Sequence, residues 1–193
     1  METVQEKQKD LVQFDLPTRV NELEKQVAEL KENAQEDKVS LILFSGDFDK
    51  AIATMMMALG AVGMGMECTI YCTFWGVSVI KRKRFYKGKS LLGKMMTWML
   101  PANSHGLNPS QMAFGPFGRK LFRYMMKGKF ESLEGMLQQA IEAGVKFQIC
   151  SPSMSMMEFN PDEWIVPPES AEICGVAAMY EVALKAKTAY FIS

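Results

Sequence analysis

Five short apolar runs, each bounded by turn residues or by a glycine that stops a helix, constrain this chain more than any other feature. They lie at residues 39–44, 67–74, 145–150, 172–174 and 188–192. In the third, Val145, Phe147 and Ile149 alternate with polar positions, as a strand requires. Helical patterns separate the runs: an apolar stretch from Ala51 to Gly60, an amphipathic one from Phe130 to Ala143 that stops at Gly144, and a late one from Gly175 to Ala186. Strand and helix alternating in this order predict a mainly parallel sheet covered on both faces. The first run ends in Ser45-Gly46-Asp47, which suits a tight strand-to-helix turn with a hydroxyl or carboxylate cap.

Cys150 closes the third run and opens the turn Ser151-Pro152-Ser153-Met154-Ser155-Met156-Met157. A side chain at the carboxyl tip of a strand in an open α/β sheet stands where such sheets bind ligands. A thiol reacts as thiolate, and backbone N–H groups at a strand end or helix start favour that form. Pro152 has no N–H, so Ser153 and Met154 are the expected donors, with the Ser153 hydroxyl beside them. Met154, Met156 and Met157 are expected to line a soft pocket around the sulfur. The plain alternative is a thiol buried as a small hydrophobe.

The remaining chemistry is sparse. Cys68, Cys72, Cys150 and Cys174 are too few in 193 residues for a disulfide framework, and reduced thiols of a cytoplasmic protein are expected. Cys68 and Cys72 sit four apart on one strand, ~13 Å from each other, and read as core thiols. With His105 the sole histidine, a His-rich metal site and a repeated Cys-x-x-Cys zinc pattern are excluded, and no metal or cofactor is expected. No apolar run reaches the ~18 residues of a membrane span, and the charged N-terminus does not resemble a signal peptide.

Residues 1–37 read as an extension, loosely ordered to residue 16 and helical from Pro17. Val20, Leu23, Val27, Leu30 and Ala34 form a short heptad seam, which suits either a dimer or packing on the chain's own domain. The domain proper is expected over residues 38–193, with an insertion at about 77–129.

Charge is unevenly spread although the net is zero. From Cys68 to Phe130 there are twelve Lys or Arg and no acidic residue. Within this span two apolar stripes have helical spacing: Leu91, Leu92, Met95, Met96, Met99 and Leu100, then Phe117, Leu121, Phe122, Met125 and Met126. The stripes are expected to pack onto the sheet domain or another subunit, leaving solvated charges outside. The alternatives are peripheral contact of residues 81–129 with an anionic membrane, or docking of an acidic partner. No base-reading motif accompanies the charge, so no nucleic-acid partner is expected.

Taken together, Ser45-Gly46-Asp47 with Asp49-Lys50-Ala51, Thr73-Phe74-Trp75-Gly76, Cys150 with Ser153-Met154 and Met157, and Gly175-Val176-Ala177 resemble the DsrE/DsrF-like proteins. The similarity is greatest to the branch labelled sulfurtransferase or peroxiredoxin-like, and it covers about residues 38–193. It implies a three-layer α/β/α sandwich with a five-stranded parallel sheet, assembled into homo-oligomers. It further implies intracellular sulfur relay, with Cys150 as the persulfide-bearing residue, Ser153, Met154, Gly46 and Asp47 as binding residues, and rhodanese-like or TusA-like partners. Where many relatives have a Gly pair before the late helix, this chain has Cys174-Gly175. Two alternatives stand beside sulfur relay: thiol redox chemistry with Cys150 and Cys174, and a non-catalytic adaptor docked through the basic insertion. No peroxidatic motif surrounds Cys150.

Overall fold

A computed structural model describes residues 16–32, 34–111 and 114–193. The chain divides into two compact units, one ending at Ala34 and one spanning Gln35–Ser193. The first contains helix α1, Leu16–Glu32. Three seam residues of α1, Val20, Leu23 and Val27, are each about half exposed. Residues 1–15, expected to be loosely ordered, and the Leu30 side chain of the seam lie outside the described residues.

The second unit contains a five-stranded, all-parallel sheet in the order β4-β3-β2-β1-β5. Its strands are β1 (Glu36–Leu43), β2 (Glu67–Cys72), β3 (Lys146–Cys150), β4 (Ala171–Cys174) and β5 (Ala186–Ile192). Helices α2 (Phe48–Gly63) and α5 (Leu133–Glu142) pack together on one face. There Leu41, Leu43, Ile70, Cys72, Phe147 and Ile149 meet Met55 and Leu137 in the main core. Strand alternation turns Ile42, Tyr71 and Cys150 to the other face, where α7 (Val176–Lys185) covers them through Met179. Cys68 and Cys72 are buried in the main core, as their spacing on one strand predicts.

The basic insertion leaves the sheet after β2 through a 3-10 turn, Phe74–Ile80, and contains α3 (Leu91–Met99) and α4 (Gly115–Met126). It returns to the sheet through α5. A buried ionic cluster anchors its start. Glu163, fully buried, forms an ion pair with Lys81 Nζ at 2.9 Å and also pairs with Lys89. Lys89 Nζ in turn donates to Thr97 Oγ1 at 2.9 Å. Backbone bonds from Ile165 to Ile80 and from Arg82 to Glu163, each 2.8 Å, fix the same junction.

Of the first apolar stripe, Met96 and Leu100 pack against the sheet domain and the rest do not. Leu91, Leu92, Met95, Trp98 and Met99 point to solvent, while the small residues Gly93 and Thr97 are buried. The reason is what lies beneath: a Cβ on Gly93 would come within 2.2 Å of the Glu158 carboxylate. In α4, Phe122 and Met126 pack against the core, but Phe117, Tyr124 and Met125 are exposed.

Candidate functional site

The carboxyl ends of β2 and β3 set the site. Cys72 pairs with Ile149 in parallel register, so Thr73 and Cys150 follow as neighbours at the strand tips. Helix α6, Ser151–Met157, begins directly after Cys150, with Pro152 in its first turn where a missing N–H costs nothing. That short turn of helix brings Ser153 back over the β2 tip. Ser153 Oγ lies 3.1 Å from Thr73 Oγ1 and accepts the Phe74 N–H at 2.9 Å.

Phe74 adopts a positive φ of 46°, a strained value for an aromatic residue, and this conformation aims its N–H at Ser153. Its neighbours hold it there. Thr73 N donates to Leu43 O at 3.0 Å and Gly76 N to Phe44 O at 2.9 Å. The Phe74 ring lies 5.0 Å from that of Phe44. A Cβ on Gly76 would sit 2.1 Å from Leu43 O, so only glycine allows the turn to approach β1 this closely.

Cys150 is 3% exposed. Burial alone would push its thiol pKa up. The Ser153, Thr73 and Tyr71 hydroxyls and the Ser153 N–H around the sulfur favour its anion, outweigh burial and hold the pKa below that of an ordinary thiol. The other three thiols go the opposite way. Burial pushes Cys68 and Cys72 up to about 12, and burial together with the charges of Glu172 and Cys150 pushes Cys174 up to about 11. Tyr71 is also raised, first by burial and then by Cys150, so its hydroxyl stays a donor. Its buried oxygen has no well-formed hydrogen bond among the described residues, although it faces the Cys150 sulfur. A buried donor left in this state suits an anionic atom arriving at the site.

Cys174 is the register partner of Cys150 across β3 and β4, and both pack in one small cluster with Tyr71 and Met179. Of the expected binding residues, Ser153 stands directly at the sulfur. Met154 is partly buried against the main core, Met157 is within that core, and Met156 is 60% exposed, so these methionines do not enclose the thiol. Met179 is the methionine that does. Gly46 and Asp47 line a separate cleft of about 410 Å³ with Lys50, Trp75 and Ser193. In that cleft Asp47 accepts the Ser45 hydroxyl at 2.7 Å and lies 3.3 Å from Lys50 Nζ. A Cβ on Gly46 would meet Trp75 O at 2.8 Å, which accounts for the glycine by packing. Asp49 fastens the insertion to α2 by accepting Ser110 N and Oγ at 2.8 and 2.6 Å.

Tyr71, Thr73 and Met179 were not singled out by sequence reasoning as site residues. For Thr73 and Tyr71 a signal existed: both stand near the tip of the second strand, at alternate positions of one face. Among the described residues no group of His, Cys, Asp or Glu is arranged to hold a metal ion.

Comparison with known proteins extends these observations. The chain is 32% identical over 146 residues to the uncharacterized protein YrkE of Bacillus subtilis, covering 75% of this chain and 89% of that one. It is 25% identical over 154 residues to the sulfur carrier protein DsrE2 of Allochromatium vinosum, covering 77% and 94% respectively. Residues 35–191 match the DsrE/DsrF/DrsH-like family, and the chain belongs to that family.

Proposed function

We propose that the protein carries sulfane sulfur on Cys150. The observation that carries this reading is the buried Cys150 sulfur ringed by the Ser153, Thr73 and Tyr71 hydroxyls, which together favour the anion over the thiol. Similarity to a sulfur carrier, DsrE2, supports it from a second direction.

In the loading step the Cys150 thiolate attacks the outer sulfur of a donor persulfide, R–S–SH. A new S–S bond forms to Cys150, the donor's S–S bond breaks, and the donor leaves as its thiolate. Cys150–S–SH retains the proton that the outer sulfur carried, or loses it to water as the persulfide ionises. In the unloading step an acceptor thiolate attacks the same outer sulfur and Cys150 departs as thiolate. Neither step needs an external oxidant or reductant. Rhodanese-like or TusA-like proteins, which present a cysteine persulfide or thiol, suit this chemistry as partners. The Tyr71 hydroxyl, short of a partner in the unloaded protein, is suited to donate to the outer sulfur once it arrives.

Burial of Cys150 sets the conditions of exchange. With 3% of the residue exposed, a small persulfide or a docked partner must displace local side chains to reach the sulfur. The same burial shields a bound persulfide from water and oxidants. Loading measured by intact mass after incubation with a persulfide donor tests the reading: wild type gains sulfur that reductant removes, and Cys150→Ser does not.

A further inference from the structure

Much of the apolar surface on the two helices of the insertion points outward. In α3 the buried residues are Gly93 and Thr97, with Met96 packed against the core beside them, and the hydrogen bonds that fasten the helix are polar contacts at its two ends. Ser90 caps the helix by accepting Gly93 N at 3.1 Å, and its own N–H donates to Glu158 Oε2 at 2.7 Å. Thr97 receives Lys89. At the other end Arg84 Nη2 donates to the carbonyls of Trp98 and Leu100, at 3.1 and 3.4 Å, and so caps the helix C-terminus. What points outward is apolar: Leu91 is 85% exposed, Leu92 69% and Trp98 70%, with Met95 and Met99 beside them. In α4 two arginines turn inward, Arg119 to Gly106 O at 2.7 Å and Arg123 to Ser104 O at 3.0 Å, while Phe117 and Tyr124 face solvent. Apolar surface this contiguous is rarely left uncovered in a monomer.

Charge indicates what covers it. Lys94 lies on α3 itself, and Arg82, Lys83 and Lys87 lie on the segment that leads into it; all are exposed, and none has an acidic partner among the described residues. A second copy of the insertion would bring these cations against their equals, so a homotypic contact is opposed by its own electrostatics. An anionic surface is favoured. Helix α3 is ~14 Å long and convex, with Leu, Met and Trp at its crest. Side chains of that kind enter the headgroup boundary of a bilayer without needing a matching groove, and Trp is favoured there. No described helix is long and apolar enough to cross a membrane, so the contact is peripheral.

We propose that α3, with its flanking cations, docks the protein on an anionic lipid surface. Apolar insertion supplies depth, and each basic residue held near the leaflet contributes about fivefold in affinity at low salt. The inference is independent of the chemistry assigned to Cys150.

The test is co-sedimentation of the full chain with vesicles of phosphatidylcholine, with and without phosphatidylglycerol, read together with Trp98 fluorescence. Expected is binding to the anionic vesicles alone, a blue shift that Trp98→Phe removes, and release when salt shortens the Debye length to ~3 Å at about 1 M. The double variants L92S/W98S and K83E/K87E should each weaken binding at least tenfold while leaving the alkylation rate of Cys150 unchanged. Absence of binding to anionic vesicles at low salt overturns the proposal, as does binding that both double variants retain. Salt-sensitive binding to polyglutamate without vesicle binding would overturn it in favour of an acidic protein partner. Self-association lost in L92S/W98S, without vesicle binding, would overturn it in favour of a second copy.

Discussion

Thr73 and Ser153, eighty positions apart in sequence, meet hydroxyl to hydroxyl at 3.1 Å beside the Cys150 sulfur. Phe74 N–H occupies one lone pair of Ser153 Oγ, which leaves the Ser153 proton free to turn to sulfur. Hydrogen bonds to a charged group are stronger than neutral ones, contributing about 1.5–3 kcal/mol. Ser153→Ala is therefore expected to raise the Cys150 pKa. The pH dependence of iodoacetamide alkylation measures it, and an unchanged midpoint would remove Ser153 from the site.

The four thiols should separate by pH. Cys150, held below an ordinary thiol, is the first to alkylate as pH rises. Cys174 follows near 11, and Cys68 and Cys72 near 12. Stability follows with opposite signs. The Cys150 contribution is complete above the unfolded pKa of ~8.5 and is lost as pH falls through its lowered folded value. The other three thiols favour their protonated forms in the fold, so their contribution is present below ~8.5 and is lost as pH rises toward 11–12. Three groups outweigh one, and the urea midpoint should fall from about pH 9 upward. A midpoint that rises over that range would contradict these environments.

Cys174 stands beside Cys150 in strand register, which puts their Cα atoms ~4.8 Å apart, within the range a disulfide spans. Its raised pKa nonetheless makes it a poor nucleophile near neutral pH. Cys174→Ala should load sulfur as wild type does. Loss of loading in that variant, or a Cys150–Cys174 bridge formed in step with turnover, would favour the two-thiol redox reading.

Among the described residues, Glu163 is the carboxylate paired with both buried ammonium groups, Lys81 and Lys89. Glu163→Gln leaves both cations without their counter-charge and should cost about 3–5 kcal/mol in urea unfolding. Because α3 is fastened through Lys89 and Thr97, protease sensitivity within residues 81–99 should rise in parallel. Stability within 1 kcal/mol of wild type would show that the cluster is not a structural anchor.

Much of this was legible in the sequence. The five strands follow from short apolar runs, and Gly144, with a φ of +83°, ends the helix before β3 as a glycine stop should. Cys150 was legible because a strand tip is a position that sequence reveals. The Thr73–Ser153 contact was not, since it depends on the register that sets Cys72 against Ile149. The methionine pocket misled for a related reason. Met154, Met156 and Met157 adjoin Cys150 in sequence, but one helical turn sends Met157 to the main core and Met156 to solvent. The α3 stripe gave the right periodicity without its direction, because the Glu158 carboxylate that forces Gly93 inward lies 65 positions away.

Intact-mass spectrometry of wild type and Cys150→Ser, after incubation with a persulfide donor, tests sulfur carriage most directly. Wild type should gain the mass of one sulfur atom, lose it to reductant, and show the modification at Cys150 in the peptide map. Cys150→Ser, folded by circular dichroism, should gain none. A wild type that takes up no sulfur even with a donor protein present, or a Cys150→Ser variant that loads equally, would contradict Cys150 as the carrier.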